Sequence, residues 1–167
     1  HIPGAGMLNI ATESKNILFT GDFDTRNSPL TSGAKPIKSD ILFIEGTYGG
    51  RNHANQQEEL KRFIENIVRV TDKGGTVLIP AFANGRTQDM LMRLHQNCPE
   101  LDVHVDGMGK RISKLYLENS QFIRDPKALN DAWNWSRRVS SKSDRKRALD
   151  SDCLLYTSDA ADEIVRV

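Results

Sequence analysis

Two carboxylates, each closing an apolar run, are the residues of this chain best placed to do chemistry. Asp22 ends the stretch Asn16-Ile17-Leu18-Phe19-Thr20-Gly21, and Glu45 ends Asp40-Ile41-Leu42-Phe43-Ile44, 23 residues further on. Short runs of Ile, Leu and Phe bounded by turn residues predict strands buried on both faces of a sheet that helices cover. Both carboxylates then stand at C-terminal strand ends, the edge of an α/β sheet where loops leave a crevice for a ligand. Taken singly, each has a plainer reading: Asp after Gly is an ordinary turn residue, and Glu45 could cap the segment that follows it. Two such ends on what should be neighbouring strands point to a site.

A second candidate is Asn84-Gly85-Arg86-Thr87, between an apolar run and an amphipathic one. A Gly-containing strand-to-helix turn presents backbone N–H groups, and Arg86 adds a bidentate phosphate donor, so a nucleic-acid backbone could dock there. The alternative is a capped helix start with Arg86 on the surface. Arg137, Arg138, Lys142, Arg145, Lys146 and Arg147 follow Trp133 and Trp135. Cations beside aromatics suit single-stranded RNA, but a solvated loop with core tryptophans is the simpler account.

The elements that must position these groups alternate. Met7 to Ile10 and Ile17 to Thr20 read as strands joined by a hairpin connection at Glu13 to Asn16, and Thr25 to Lys38 as a surface loop. Leu60, Phe63, Ile64, Ile67 and Val68 recur with helical spacing. Thr76 to Phe82 and Val103 to Val105 predict strands, each followed by a helix (Gln88 to Gln96, then one around Ile112, Leu115, Tyr116 and Leu117). Asp125-Pro126 marks a further helix start. Strand, helix, strand, helix implies a parallel sheet with right-handed crossovers.

Successive motifs resemble those of the β-CASP branch of the metallo-β-lactamase superfamily, a branch of RNA-cleaving nucleases. They are His1-Ile2-Pro3-Gly4-Ala5-Gly6-Met7, Thr20-Gly21-Asp22-Phe23, Glu45-Gly46-Thr47-Tyr48-Gly49, Ile79-Pro80-Ala81-Phe82-Ala83-Asn84-Gly85-Arg86-Thr87-Gln88-Asp89 and Asp106-Gly107-Met108. The resemblance implies an α/β chain comprising part of a metallo-β-lactamase αββα core (residues 1–48) and most of an inserted β-CASP cap with a parallel sheet (residues 49–152). It implies hydrolysis of RNA phosphodiester bonds with two zinc ions, His1 as a zinc ligand and Asp22 as the ligand bridging them. One carboxylate can bridge metals about 3.5 to 4 Å apart. Glu45 matches a carboxylate that supports a downstream His acting as general acid, and Asn84, Gly85 and Arg86 become candidate RNA contacts. The family's His-x-His-x-Asp-His cluster is expected before His1 and two further His motifs after Asp152, so the segment by itself is expected to be inactive. His53, His95 and His104 do not occupy the missing positions; His95 and His104 read as packing or surface residues. The implied partners are single-stranded RNA and either a second copy or a processing complex. The competing reading is a non-catalytic RNA-binding subunit of a 3′-end processing complex; a DNA nuclease is a third.

Composition sets the remaining bounds. The chain has 167 residues, 38% hydrophobic and 27% charged, with no run of 18 apolar residues and no signal peptide. Cys98 and Cys153 are too few and too isolated for a disulfide framework or a thiolate zinc site, and a reducing, cytoplasmic setting is expected. Cys153 to Glu163 resemble a translated sequencing-adapter end, so residues 153–167 are set outside the fold as a non-native tail. One Lys or Arg and three Asp or Glu lie in that stretch, so without it the net charge rises from +1 to +3. No G-x-G-x-x-G or G-x-x-x-x-G-K loop is present, which argues against a nucleotide-cofactor domain.

Overall fold

A computed structural model describes residues 1–157. The first sheet holds β1 (Leu8–Ala11), β2 (Asn16–Phe19) and β3 (Ile41–Phe43) in that order. β1 and β2 form the expected antiparallel hairpin, closed where Thr12 N–H and Oγ both donate to the Lys15 carbonyl at 2.9 and 2.8 Å. β3 runs parallel to β2, with Ile17, Leu18 and Phe19 opposite Ile41, Leu42 and Phe43. This parallel pairing puts both strand ends, and so Asp22 and Glu45, on the same edge. The expected burial on both faces is not what the structure shows: Leu18 is buried, whereas Phe19, Ile41, Leu42 and Phe43 are exposed. On the exposed side Phe19 and Phe43 stack on one another, ring centroids 4.5 Å apart.

The second sheet holds four strands, all parallel, in the order β4 (Val77–Pro80), β7 (Cys153–Thr157), β5 (Val103–Gly107), β6 (Arg137–Arg138). Around it pack α1 (Gln56–Thr71), α2 (Arg86–Asn97), α3 (Gly109–Glu118), α4 (Pro126–Trp135) and α5 (Lys142–Leu149). Each α1 to α4 segment follows the apolar spacing read from the sequence. Asn55 caps α1 by accepting from Gln57 N–H at 2.9 Å, and Asp125 caps α4 by accepting from Ala128 N–H at 2.9 Å. The main core gathers Ile67, Leu91, Leu94, Val103, Val105, Leu129 and Trp133.

Three segments depart from the sequence expectations. Cys153–Thr157, placed outside the fold, is a central strand between β4 and β5. Cys153 and Leu155 point into the main core while Leu154 joins Val139 and Ala148 beneath α5, so a short apolar run with period-2 alternation supplies what that slot needs. Desolvation there pushes the Cys153 thiol up to about 12, and raises Cys98 as well. The basic stretch after Trp135 is not a loop but β6 and α5, the helix opening on a capping box in which Ser141 Oγ accepts from Asp144 N–H and Asp144 accepts from Ser141 N–H. The loop at 25–38 is not wholly superficial either. Leu30, 2% exposed, sits in the main core, and Arg124 donates from its backbone to the Leu30 carbonyl and from its side chain to the Ser28 carbonyl. This loop fastens the first sheet's chain to the second sheet's helices.

Candidate active-site cleft

Where the loops after β2, β3 and β4 converge they enclose a cleft of about 540 Å³, lined among others by His1, Asp22, Glu45, Tyr48, His53 and Arg86. Glycine turns aim two of these groups: Gly21 at φ +56 precedes Asp22, and Gly85 at φ +83 precedes Arg86. Gly85 also packs so closely on the loop behind His1 that a Cβ there would lie 2.8 Å from Ile2 Cγ2. The two sheets thus meet where the candidate ligand loop and the Arg86 turn touch.

His1 Nε2 lies 3.9 Å from Asp22 Oδ2, and both side chains face water, at 43% and 72% exposure. Two donors bonded about 2 Å from one tetrahedral zinc ion stand about 3.3 Å apart, so this exposed pair would close by roughly half an ångström to share one. Among the described residues no group of three or more His, Cys, Asp or Glu side chains gathers around such a point, so these two donors would be part of a ligand set. Glu45 accepts from Thr47 N–H at 2.8 Å, and that bond holds its carboxyl below the usual range. The capping role weighed for Glu45 is therefore present, and it keeps the group an ionised acceptor. Glu45 N–H in turn donates to Thr20 Oγ at 3.3 Å, tying the two strand ends together.

The Arg86 turn differs from the expectation of free backbone donors. Gly85 N–H donates to Gln88 Oε1 at 2.9 Å, Arg86 N–H to the Asn84 carbonyl at 3.1 Å and Thr87 N–H to the Phe82 carbonyl at 3.1 Å. Asn84 Oδ1 accepts from the Tyr116 hydroxyl. What the turn leaves for a ligand is the Arg86 side chain, exposed and without an acidic partner among the described residues. The other acids here are engaged: Asp24 is held at about 2 chiefly by its side-chain bonds to Arg26, and Asp89 pairs with Arg93 at 2.8 Å.

The remaining candidates separate cleanly. His95 packs against Trp135, ring centroids 5.1 Å apart, and His104 is buried beside Asp102 at 3.4 Å, so both are structural as read. The basic cluster is largely neutralised: Arg137 pairs with Asp102, Arg145 with Asp106 and Arg147 with Asp144, while Arg138 lies over Trp133. The plainer reading of that stretch is the one the contacts favour. His53, dismissed on sequence because it matched no expected ligand, lines the cleft with His1, Asp22 and Glu45. Only its seven-residue separation from Gly46, across a Gly-rich loop, hinted at this.

Two strand-end carboxylates, a His beside one of them and an Arg with no acidic partner among the described residues thus line one cleft of an α/β chain. Comparison with known proteins makes the family specific. The chain is 32% identical over 151 residues to "RNase aCSPSF2" of Saccharolobus solfataricus, covering 89% of this chain and 31% of that protein. It is 40% identical over 98 residues to "Cleavage and polyadenylation specificity factor subunit 3" of Dictyostelium discoideum (58% and 13%), and 38% identical over 134 residues to "Endoribonuclease YSH1" of Yarrowia lipolytica (75% and 16%). No family model matches the chain. The homologues it resembles along most of its own length are β-CASP metallo-β-lactamase ribonucleases. It spans about a third or less of the length of these curated relatives.

Proposed function

We propose that the intact protein hydrolyses phosphodiester bonds of single-stranded RNA in RNA processing or decay, using bound zinc. The observation that carries this reading is one cleft shared by His1, Asp22, Glu45 and Arg86, in a chain whose relatives are named ribonucleases. Residues 1–48, with the first sheet, would form part of the catalytic core, and residues 49–152 most of the cap that closes over the substrate.

His1 and Asp22 would hold zinc, with Asp22 the bridging ligand. A bound zinc ion supplies Lewis-acid stabilisation of the phosphate and lowers the pKa of water for attack. Arg86, which lines the same cleft, binds a phosphate oxygen of the substrate strand, in the geometry that a planar guanidinium favours. Glu45, kept ionised by Thr47 N–H, accepts a hydrogen bond from the group that protonates the leaving oxygen and so holds that group in its charged form.

The test is metal-dependent cleavage of labelled single-stranded RNA by the full-length protein beside Asp22→Ala. Cleavage with zinc that falls by at least about a hundredfold in the variant supports the assignment. Binding without cleavage, unchanged by Asp22→Ala, would establish the non-catalytic RNA-binding subunit instead.

A further inference from the structure

The loop between β3 and α1 carries two aromatic side chains that the hydrolytic site leaves without a task. Tyr48 and His53 line the same cleft as His1, Asp22, Glu45 and Arg86. Their rings lean on one another, centroids 4.5 Å apart and planes at 52°. Tyr48 is 58% exposed, a large apolar surface left in water at the mouth of a polar site, and His53 is exposed too. Apart from that ring contact, neither side chain has a hydrogen-bonding or ionic partner among the described residues. A role in the core is thereby excluded, in contrast with His95 and His104.

The loop holds these rings in place. Thr47 N–H is tied to Glu45, Gly49 N–H donates to the Gly46 carbonyl at 2.9 Å, and Arg51 N–H donates to the Tyr48 carbonyl at 3.0 Å. Two successive turns thus anchor the segment to the carboxylate that the mechanism uses, and present Tyr48 three residues beyond it. A preset aromatic face beside a phosphate-directed Arg is the arrangement on which an unpaired base stacks while its backbone is held by charge.

We propose that Tyr48, with His53 packed against it, is a stacking platform for one nucleobase of a single-stranded RNA whose adjacent phosphodiester lies at His1, Asp22 and Arg86. This assignment rests on the ribonuclease reading and adds the substrate feature recognised. A base paired in a duplex has no free face to offer, so the platform selects unpaired RNA. Every base has a π-face, so it does so with little regard to sequence.

The experiment uses the zinc-loaded full-length protein and a set of labelled single-stranded RNAs, each with one abasic nucleotide at a different position around the cleavage site. For the unsubstituted protein one abasic position should lower kcat/KM by about tenfold. Tyr48→Ala should lose a similar factor on the intact RNA and be indifferent to that abasic position, because base and ring report the same contact. Tyr48→Phe should retain both the rate and the abasic sensitivity, and His53→Ala should show a smaller loss in the same direction. Losses from Tyr48→Ala and from the abasic site that multiply would overturn the platform, as would a Tyr48→Ala protein with full activity. Cleavage with no sensitive position removes the platform alone, whereas failure of the unsubstituted protein to cut RNA removes the ribonuclease reading and this assignment with it.

Discussion

Replacing Gln88 by Leu should destabilise the chain by about 2–4 kcal/mol and loosen the turn that presents Arg86. Gln88 is fully buried. Its Oε1 accepts from Gly85 N–H at 2.9 Å, and its Nε2 donates to the Ala83 carbonyl at 3.0 Å, Ser113 Oγ at 2.9 Å and the Gly109 carbonyl at 3.2 Å. Leu is of similar volume, so the loss is polar. Gly85 N–H is orphaned and the Ala83 carbonyl loses a donor, at about 1–3 kcal/mol for each buried group left unpaired. Gly109 keeps Ser113 Oγ, which donates to its carbonyl at 2.7 Å, and adds little. The measurement is urea unfolding at matched m-values. Gln88→Glu sharpens it: the carboxylate keeps the Gly85 bond but turns its other oxygen toward three oxygen atoms, so the folded state favours the protonated form. Its folded pKa then lies above the ordinary value of about 4.3, and the deficit should be small at acid pH and grow as pH rises through that window. A Gln88→Leu cost below about 0.5 kcal/mol, or a Gln88→Glu deficit that shrinks with rising pH, would refute the view that this network holds the turn.

Leu30→Ala should cost about 2–5 kcal/mol by denaturant unfolding, because its side chain fills the core of the second sheet from the opposite segment of the chain. A loss near zero would show that the loop is merely laid on the surface. Asp24, held at about 2 against an ordinary 3.8 mainly by Arg26, contributes stability that is present above about pH 4 and lost as pH falls toward 2. Carboxyl NMR titration should find that midpoint, and Arg26→Gln should return it to the ordinary range.

Much of the architecture was legible in the residues. The apolar spacing of Leu60, Phe63, Ile64, Ile67 and Val68, the Asp125-Pro126 start and the runs at Thr76 and Val103 located two of the helices and two strands of the parallel sheet, because periodicity and caps are local properties. Asp22 and Glu45 stood out because strand ends are readable as places. His53 and Tyr48 were passed over because nothing local distinguishes a loop aromatic that faces a cleft from one that faces water. The backbone donors of the Arg86 turn were over-read for a similar reason: whether an N–H is free depends on where a side chain such as Gln88 comes to rest.

Sequence by itself determined the kinds and order of most elements and which side chains are candidates for a site, since these follow from side-chain type and short-range spacing. Tertiary structure alone decided which of them share a cleft. It set β7 between β4 and β5, sent Leu30 across to the second sheet's core, paired off half of the basic cluster with acids, and brought the Arg86 turn against the loop that carries His1 through the Gly85 and Ile2 contact. Each of those outcomes depends on packing between residues far apart in the chain, and no local pattern encodes a distance of that kind.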